Sequence, residues 1–126
     1  MTLRTPLSQA RGLGSAHAGA HHWWHQRITA VAMLPLMFWF VMSLASHVGA
    51  DYFSLKSWME SPINATLMVA LMINIFYHAH LGLQIVIEDY VHCPAMKAFG
   101  LIMIKLLAVL FSIFSVVSIL EIAIGS

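Results

Sequence analysis

Three long apolar runs organise the chain, from Ile28 to Val48, from Ile63 to Ile87 and from Phe99 to Ile124. A bilayer core about 30 Å thick is crossed by about 20 residues of α-helix at about 1.5 Å per residue, so each run is long enough to span it. Strands are excluded, because lipid offers the backbone no hydrogen bonds and three segments cannot close a barrel. Gly49-Ala50-Asp51 and Ser61-Pro62 bound the first connector, and Glu88-Asp89 through Pro94 and Lys97 form the second. The expected organisation is an all-α membrane protein with two parts. Residues 1–27 form an N-terminal cytoplasmic or interfacial segment, and residues 28–126 a domain of three transmembrane helices. Pro35 is expected to kink the first span, and Ser112, Ser115 and Ser118 to form a small-residue strip that lets helices approach. The chain contains no internal repeat.

Composition supports lipid as part of the solvent. Of 126 residues, 60% are hydrophobic and only 9% charged, against roughly 25% charged in soluble proteins. A domain of this size cannot coat a water-facing surface with so few charges. The six basic residues are scattered and the net charge is only +1, which argues against a nucleic-acid binder. A single cysteine, Cys93, excludes an intrachain disulfide, a thiolate zinc site and the C-x-x-C-H attachment of covalent haem. Any haem would therefore be held non-covalently.

The first 27 residues carry three arginines and no acid, and they lack the apolar core and cleavage site of a secretory signal. An acid-free start with Arg and Ser also suits a mitochondrial address, whereas a chain beginning at its own Met favours an uncleaved bacterial protein. The bacterial inner membrane is the expected location, with the mitochondrial inner membrane as the alternative. Cytoplasmic flanks are rich in Lys and Arg. Arg4, Arg11 and Arg27 precede the first span, while the first connector carries Asp51, Lys56 and Glu60. The N-terminus is thus expected inside, the Glu88–Lys97 connector inside and the C-terminus outside. Lys105 can carry its ammonium back to the inner interface on its flexible stem.

The second span is interrupted by Asn74, Tyr77, His78, His80 and Gln84. Polar and ionisable groups at membrane depth are expensive enough to point to function. At about 100° per residue, Leu71, Asn74, His78, Gly82, Ile85 and Asp89 share one face, with His80 opposite. His78 and Asp89 lie roughly 16 Å apart along the axis, so they read as two linked sites, one in the membrane and one near its inner surface. A neutral imidazole in a helical bundle suits an axial haem ligand, and Gly82 leaves room for a flat macrocycle. The competing reading is that His78 only hydrogen-bonds a neighbouring helix. Asp89 and Tyr90 read equally as an interfacial carboxylate and an aromatic-belt tyrosine. His21, His22 and His25 have metal-cluster spacing, but the adjacent Trp23 and Trp24 are first of all interfacial anchors. No chemistry is assigned to that stretch.

His78-Ala79-His80-Leu81-Gly82 followed by Val86-Ile87-Glu88-Asp89-Tyr90-Val91 resembles the H-A-x-x-G and D-Y-V signature of the small cytochrome b membrane anchor of succinate dehydrogenase (complex II). Gln26-Arg27-Ile28-Thr29-Ala30 is similar to the R-x-T-A segment opening that family's first span, so the resemblance runs from about Trp23 to Ser126. It implies half of a heterodimeric bundle, completed by a second three-helix anchor, a cytochrome b556-type chain. The two would share haem b and dock a flavoprotein and an iron–sulfur subunit, which hold the FAD and the clusters, on the inner face. By position, the resemblance makes His78 the axial haem ligand, with Arg27, and more weakly His21, near the haem propionates. It places ubiquinone against Tyr90, with Asp89 beside it to support proton uptake. Electrons from succinate would thus reach quinone, linking the tricarboxylic acid cycle to respiration. His80 departs from the aromatic residue that relatives can carry, and the helical face selects His78 as the ligand. The polar face of the second span is expected to point at the missing half of the bundle. The rivals are an anchor of a fumarate-reducing homologue and a non-redox transport or assembly protein in which His78 and Gln84 only join helices.

The charge asymmetry makes one direct prediction. A cleavable tag placed after Ser126 is cut by protease added to the outer side of sealed membranes and protected from the inner side; the reverse pattern overturns the topology.

Overall fold

A computed structural model describes residues 18–125 and places four helices in them: α1 (Ala18–Ser46), α2 (Tyr52–Glu60), α3 (Pro62–Tyr90) and α4 (Pro94–Ile124). Three of these, α1, α3 and α4, are long and apolar enough to cross a membrane. Each expected span lies largely within one of them, but the helices extend further. α1 begins ten residues before Ile28 and ends at Ser46, because an apolar run marks the depth of lipid rather than the reach of helical hydrogen bonding. It continues through Pro35, whose missing N–H removes one backbone bond without ending the helix. α3 runs on through Glu88, Asp89 and Tyr90, so the second connector is only Val91 to Cys93. Pro94 then opens α4 at a position where its missing N–H would have had no helical partner.

The first connector is not irregular, as its turn residues suggest; it contains α2. The chain leaves α1 through a turn in which Gly49 has φ of +82°, a left-handed conformation natural to glycine. Asp51 then caps α2, its carboxylate accepting from the Ser54 N–H at 3.0 Å. At the other end, Asn64 Nδ2 donates to Trp58 O at 2.8 Å. Lys56 pairs with Glu60 and also donates to Gly125 O at 3.2 Å. Trp58 stacks on Trp39 of α1, with centroids 5.6 Å apart and planes 20° from parallel. α2 therefore bridges the ends of all three long helices.

α3 packs against both α1 and α4, while α1 and α4 make no close approach among the described residues. The long helices thus form an open row, antiparallel to their neighbours, with α3 in the middle. The α3–α4 contact is tight near the short connector, where a Cβ added to Gly100 would meet Ile87 at 3.4 Å. Further along, Phe76 stacks on Phe111. Only Leu71, Leu81 and Ile119 form a buried apolar core among the described residues, whereas Leu34, Phe38 and Phe114 are each at least 69% exposed. Such an arrangement is untenable in water. It fits lipid and neighbouring helices.

The Ser54 side chain and its backbone N–H hold the Asp51 carboxyl below its ordinary pKa. The carboxylate is thus favoured in the folded state, so its contribution to α2 is present above the unfolded pKa and lost as pH falls through the folded one. Hydrogen exchange at residues 52–55 should lose protection over that acidic range. Asp51→Ala should lack the same protection at neutral pH; unaltered exchange in the variant would remove the cap from the account.

Candidate functional site

Polar residues at one end of α1 meet the second half of α3 in antiparallel register. His22, His25, Gln26 and Thr29 recur at three- and four-residue intervals, the period of one helical face. His22 Nε2 lies 3.2 Å from Leu81 O, and His25 Nδ1 lies 2.8 Å from the Tyr77 hydroxyl. Thr29 Oγ1 lies 2.9 Å from His78 Nδ1, and Asn74 Nδ2 donates to Thr29 O at 2.9 Å. Two α3 side chains one turn apart thereby grip the hydroxyl and the carbonyl of a single α1 residue. Thr29 is the buried polar residue of the described chain.

His78 is only half-buried, and among the described residues nothing hydrogen-bonds its Nε2. One turn on, a Cβ added to Gly82 would come no nearer than 4.0 Å to Gln26 Nε2, so the space that glycine leaves is real. Beside it, Gln26 Oε1 is buried without a hydrogen-bond partner among the described residues. Buried polar atoms are rarely left unpaired. The recess next to His78 therefore lacks a group that these residues do not themselves supply. An available imidazole nitrogen beside a side-chain-free turn would suit the edge of a haem, whereas Gln26 Oε1, an acceptor, calls for a hydrogen-bond donor.

The remaining expected residues are distributed more widely. Arg27 is exposed, its guanidinium 5.4 Å over the Trp23 ring, and two residues from Thr29 put it about 200° round α1. Within this chain it does not meet His78. His21 is exposed and packs its ring against His25 at 5.6 Å. The three clustered histidines point to different partners, and among the described residues no three His, Cys, Asp or Glu side chains converge to hold a metal ion. Asp89 and Tyr90 form the last turn of α3, and Tyr90 is 77% exposed. It lies about 18 Å along the axis from His78.

The expectation that the polar face of α3 points away from this chain needs correcting. Asn74 and His78 turn toward α1, because Thr29 offers the partners that polar groups at membrane depth require. His80 does lie on another side, its ring 6.3 Å from that of Tyr77. There it joins Lys105, Ile73 and Ser112 in lining a cleft of about 260 Å³ between α3 and α4. Gln84 bonds Glu88 of its own helix at 3.0 Å and joins no other helix among the described residues. The polar stripe of α1 was missed in the sequence. The spacing of His22, His25, Gln26 and Thr29 was the available signal, masked by the neighbouring tryptophans.

A family model for the succinate dehydrogenase/fumarate reductase transmembrane subunit matches residues 1–114. The chain is similar to a succinate dehydrogenase hydrophobic membrane anchor subunit of Rickettsia bellii, 34% identical over 107 residues that cover 85% of this chain and 86% of that one. Proteins of the same description from Rickettsia prowazekii, 27% identical over 92% of this chain and 93% of the relative, and from Paracoccus denitrificans, 33% identical over 75% and 73%, are also similar. No solved structure matches.

The Asn74–Thr29 bond makes the α1–α3 contact testable. Replacing Asn74 by Leu should destabilise the detergent-solubilised protein by about 0.6–2 kcal/mol, the range for interhelical hydrogen bonds in membranes. The readout is a lower thermal midpoint. No change would mean that packing alone holds the two helices.

Proposed function

This chain belongs to the succinate dehydrogenase/fumarate reductase transmembrane-subunit family, and on that premise we propose that it helps hold haem b and ubiquinone while docking the catalytic subunits of the enzyme. That it is a membrane anchor subunit of succinate dehydrogenase follows from the family and the relatives. Its three apolar helices make it a multi-pass membrane protein. The proposal concerns what the anchor does. The observation that carries it is His78, half-buried at membrane depth with one ring nitrogen engaged by Thr29 and the other unengaged by any described residue.

In this reading His78 Nε2 would ligate the iron of haem b, and a second three-helix anchor would supply a further ligand. Gly82 would leave the macrocycle room, while Arg27 and His21 would serve the propionates from the inner end of α1 only after leaving Trp23 and His25. Haem, when bound, would supply a one-electron store. Tyr90 donates its hydroxyl proton in a hydrogen bond to a quinone carbonyl, and Asp89 handles protons at its carboxylate as quinone takes up two. The exposure of Tyr90 supports a quinone site whose other walls come from partner subunits. The iron–sulfur and flavoprotein subunits dock at the inner face of the bacterial inner membrane, with the N-terminus of this chain on the same side. The anchor has no activity alone; succinate oxidation in its partners supplies the electrons.

The family model spans succinate dehydrogenases and fumarate reductases, and the similar relatives are named for succinate dehydrogenase. Those names support the succinate-oxidising direction. A non-redox role is displaced by family membership.

Two variants of the purified complex separate the two sites. His78→Ala should abolish the haem b absorption while the flavoprotein and iron–sulfur subunits still copurify. Tyr90→Phe should keep the haem and the oxidation of succinate by an artificial acceptor. It should slow quinone reduction about tenfold, the worth of one hydrogen bond of about 1.4 kcal/mol. Native haem absorption in the first variant, or native quinone kinetics in the second, would sink the corresponding assignment.

A further inference from the structure

We infer that Thr29 is the positioning residue for His78, fixing its imidazole in the tautomer that presents Nε2 to the iron. The inference rests on the proposed haem role of His78. Its geometry is independent of that role. Thr29 Oγ1 stands 2.7 Å from His25 O and 3.0 Å from Gln26 O, both carbonyls of its own helix. Carbonyl oxygens only accept, so the single hydroxyl proton of Thr29 is committed to them. Toward His78 Nδ1, at 2.9 Å, the hydroxyl oxygen can then only accept. Nδ1 must therefore carry a proton, and in a neutral imidazole the lone pair is left on Nε2.

The acceptor is held in place by its surroundings. Thr29 is 7% exposed, and Asn74 Nδ2 binds its backbone carbonyl at 2.9 Å from one turn along α3. Neither the residue nor the ring can swing away without breaking a hydrogen bond in a setting that offers few replacements. Accepting from Nδ1–H also raises the basicity of Nε2 and fixes the plane of the ring, the role commonly taken by an acceptor behind a metal-bound histidine. Valine would fill nearly the same volume as threonine and accept nothing. It would leave the Nδ1 proton unpaired or let the tautomer exchange.

The test uses the assembled complex carrying Thr29→Val, with Thr29→Ser as the conservative control. Thr29→Val should release haem to an acceptor apoprotein about 10–100-fold more readily, the usual effect of losing such a partner. It should also change the low-spin spectrum and raise the haem midpoint potential, because a less basic ligand stabilises the oxidised iron less. Thr29→Ser should restore native retention, spectrum and potential. If Thr29→Val does not assemble, Thr29→Ala is read the same way, since it too lacks the hydroxyl but keeps the carbonyl that Asn74 binds. If neither assembles, Thr29→Ser decides, with native properties expected and altered retention or potential overturning the inference. Native retention, spectrum and potential in any assembled variant lacking the hydroxyl also overturn it. His78→Ala distinguishes the two levels. Haem loss there combined with native behaviour in Thr29→Val defeats the Thr29 role alone, whereas haem retention there defeats the ligand assignment itself.

Discussion

Apolar side chains gain little by leaving lipid for one another, so helices in a bilayer associate through close packing and the few hydrogen bonds available between them. Between α1 and α3 those bonds converge on Thr29. Its carbonyl accepts a hydrogen bond from Asn74, and its hydroxyl meets His78. His22 and His25 extend the same seam toward the end of α1. This seam sets the register of α1 against α3, and with it the place of every polar group on α3. Slide α1 by one residue and Thr29 would turn by about 100° away from both partners.

The α3–α4 contact has a different character. Gly100 admits Ile87, Phe76 stacks on Phe111, and the two helices are joined by only three residues. It is a hairpin held by shape. α3 consequently carries hydrogen bonding on one flank and apolar packing on the other, with α1 and α4 kept apart by its width. An open row of this kind leaves its broad faces uncovered, and among the described residues the buried ones are Leu71 and Leu81 on the central helix, Ile119 on α4 and Thr29 in the α1 seam. The lipid and neighbouring subunits of the enzyme complex complete what a single anchor subunit leaves open.

Much of this was legible in the sequence, since lipid imposes a simple code on length and polarity. The three spans follow from their apolar runs, and His80 falls where the helical period puts it. The ends of the helices were less legible because hydropathy reports depth, so the extension of α1 to Ala18 and of α3 to Tyr90 left no apolar trace. α2 was hidden by its turn-forming neighbours, although Asp51 followed three residues later by Ser54 is a local cap. The direction of the His78 face could not be read from α3 alone. Periodicity shows which residues share a face but not which helix covers it. Thr29 looked like one more residue in a span opening, and only its contacts distinguish it.

The division of α3 into flanks also separates its two polar positions. His78 and Tyr90 are fixed about 18 Å apart along a continuous helix, with no glycine between them except Gly82, which is itself helical. The spacing is therefore a property of the backbone, insensitive to how either group is solvated. His78 is enclosed on its Nδ1 side by the α1 seam, whereas Tyr90 emerges at the end of α3 where docked subunits can reach it. The half-buried position suits a group that must stay put, since its orientation is set by hydrogen bonds within this chain. The exposed end of α3 is open to contact from outside this chain. His80 and Lys105, meanwhile, are confined to the α4 side of the same helix. Tyr77 stands between the two flanks, its ring against His80 and its hydroxyl on His25 of the seam.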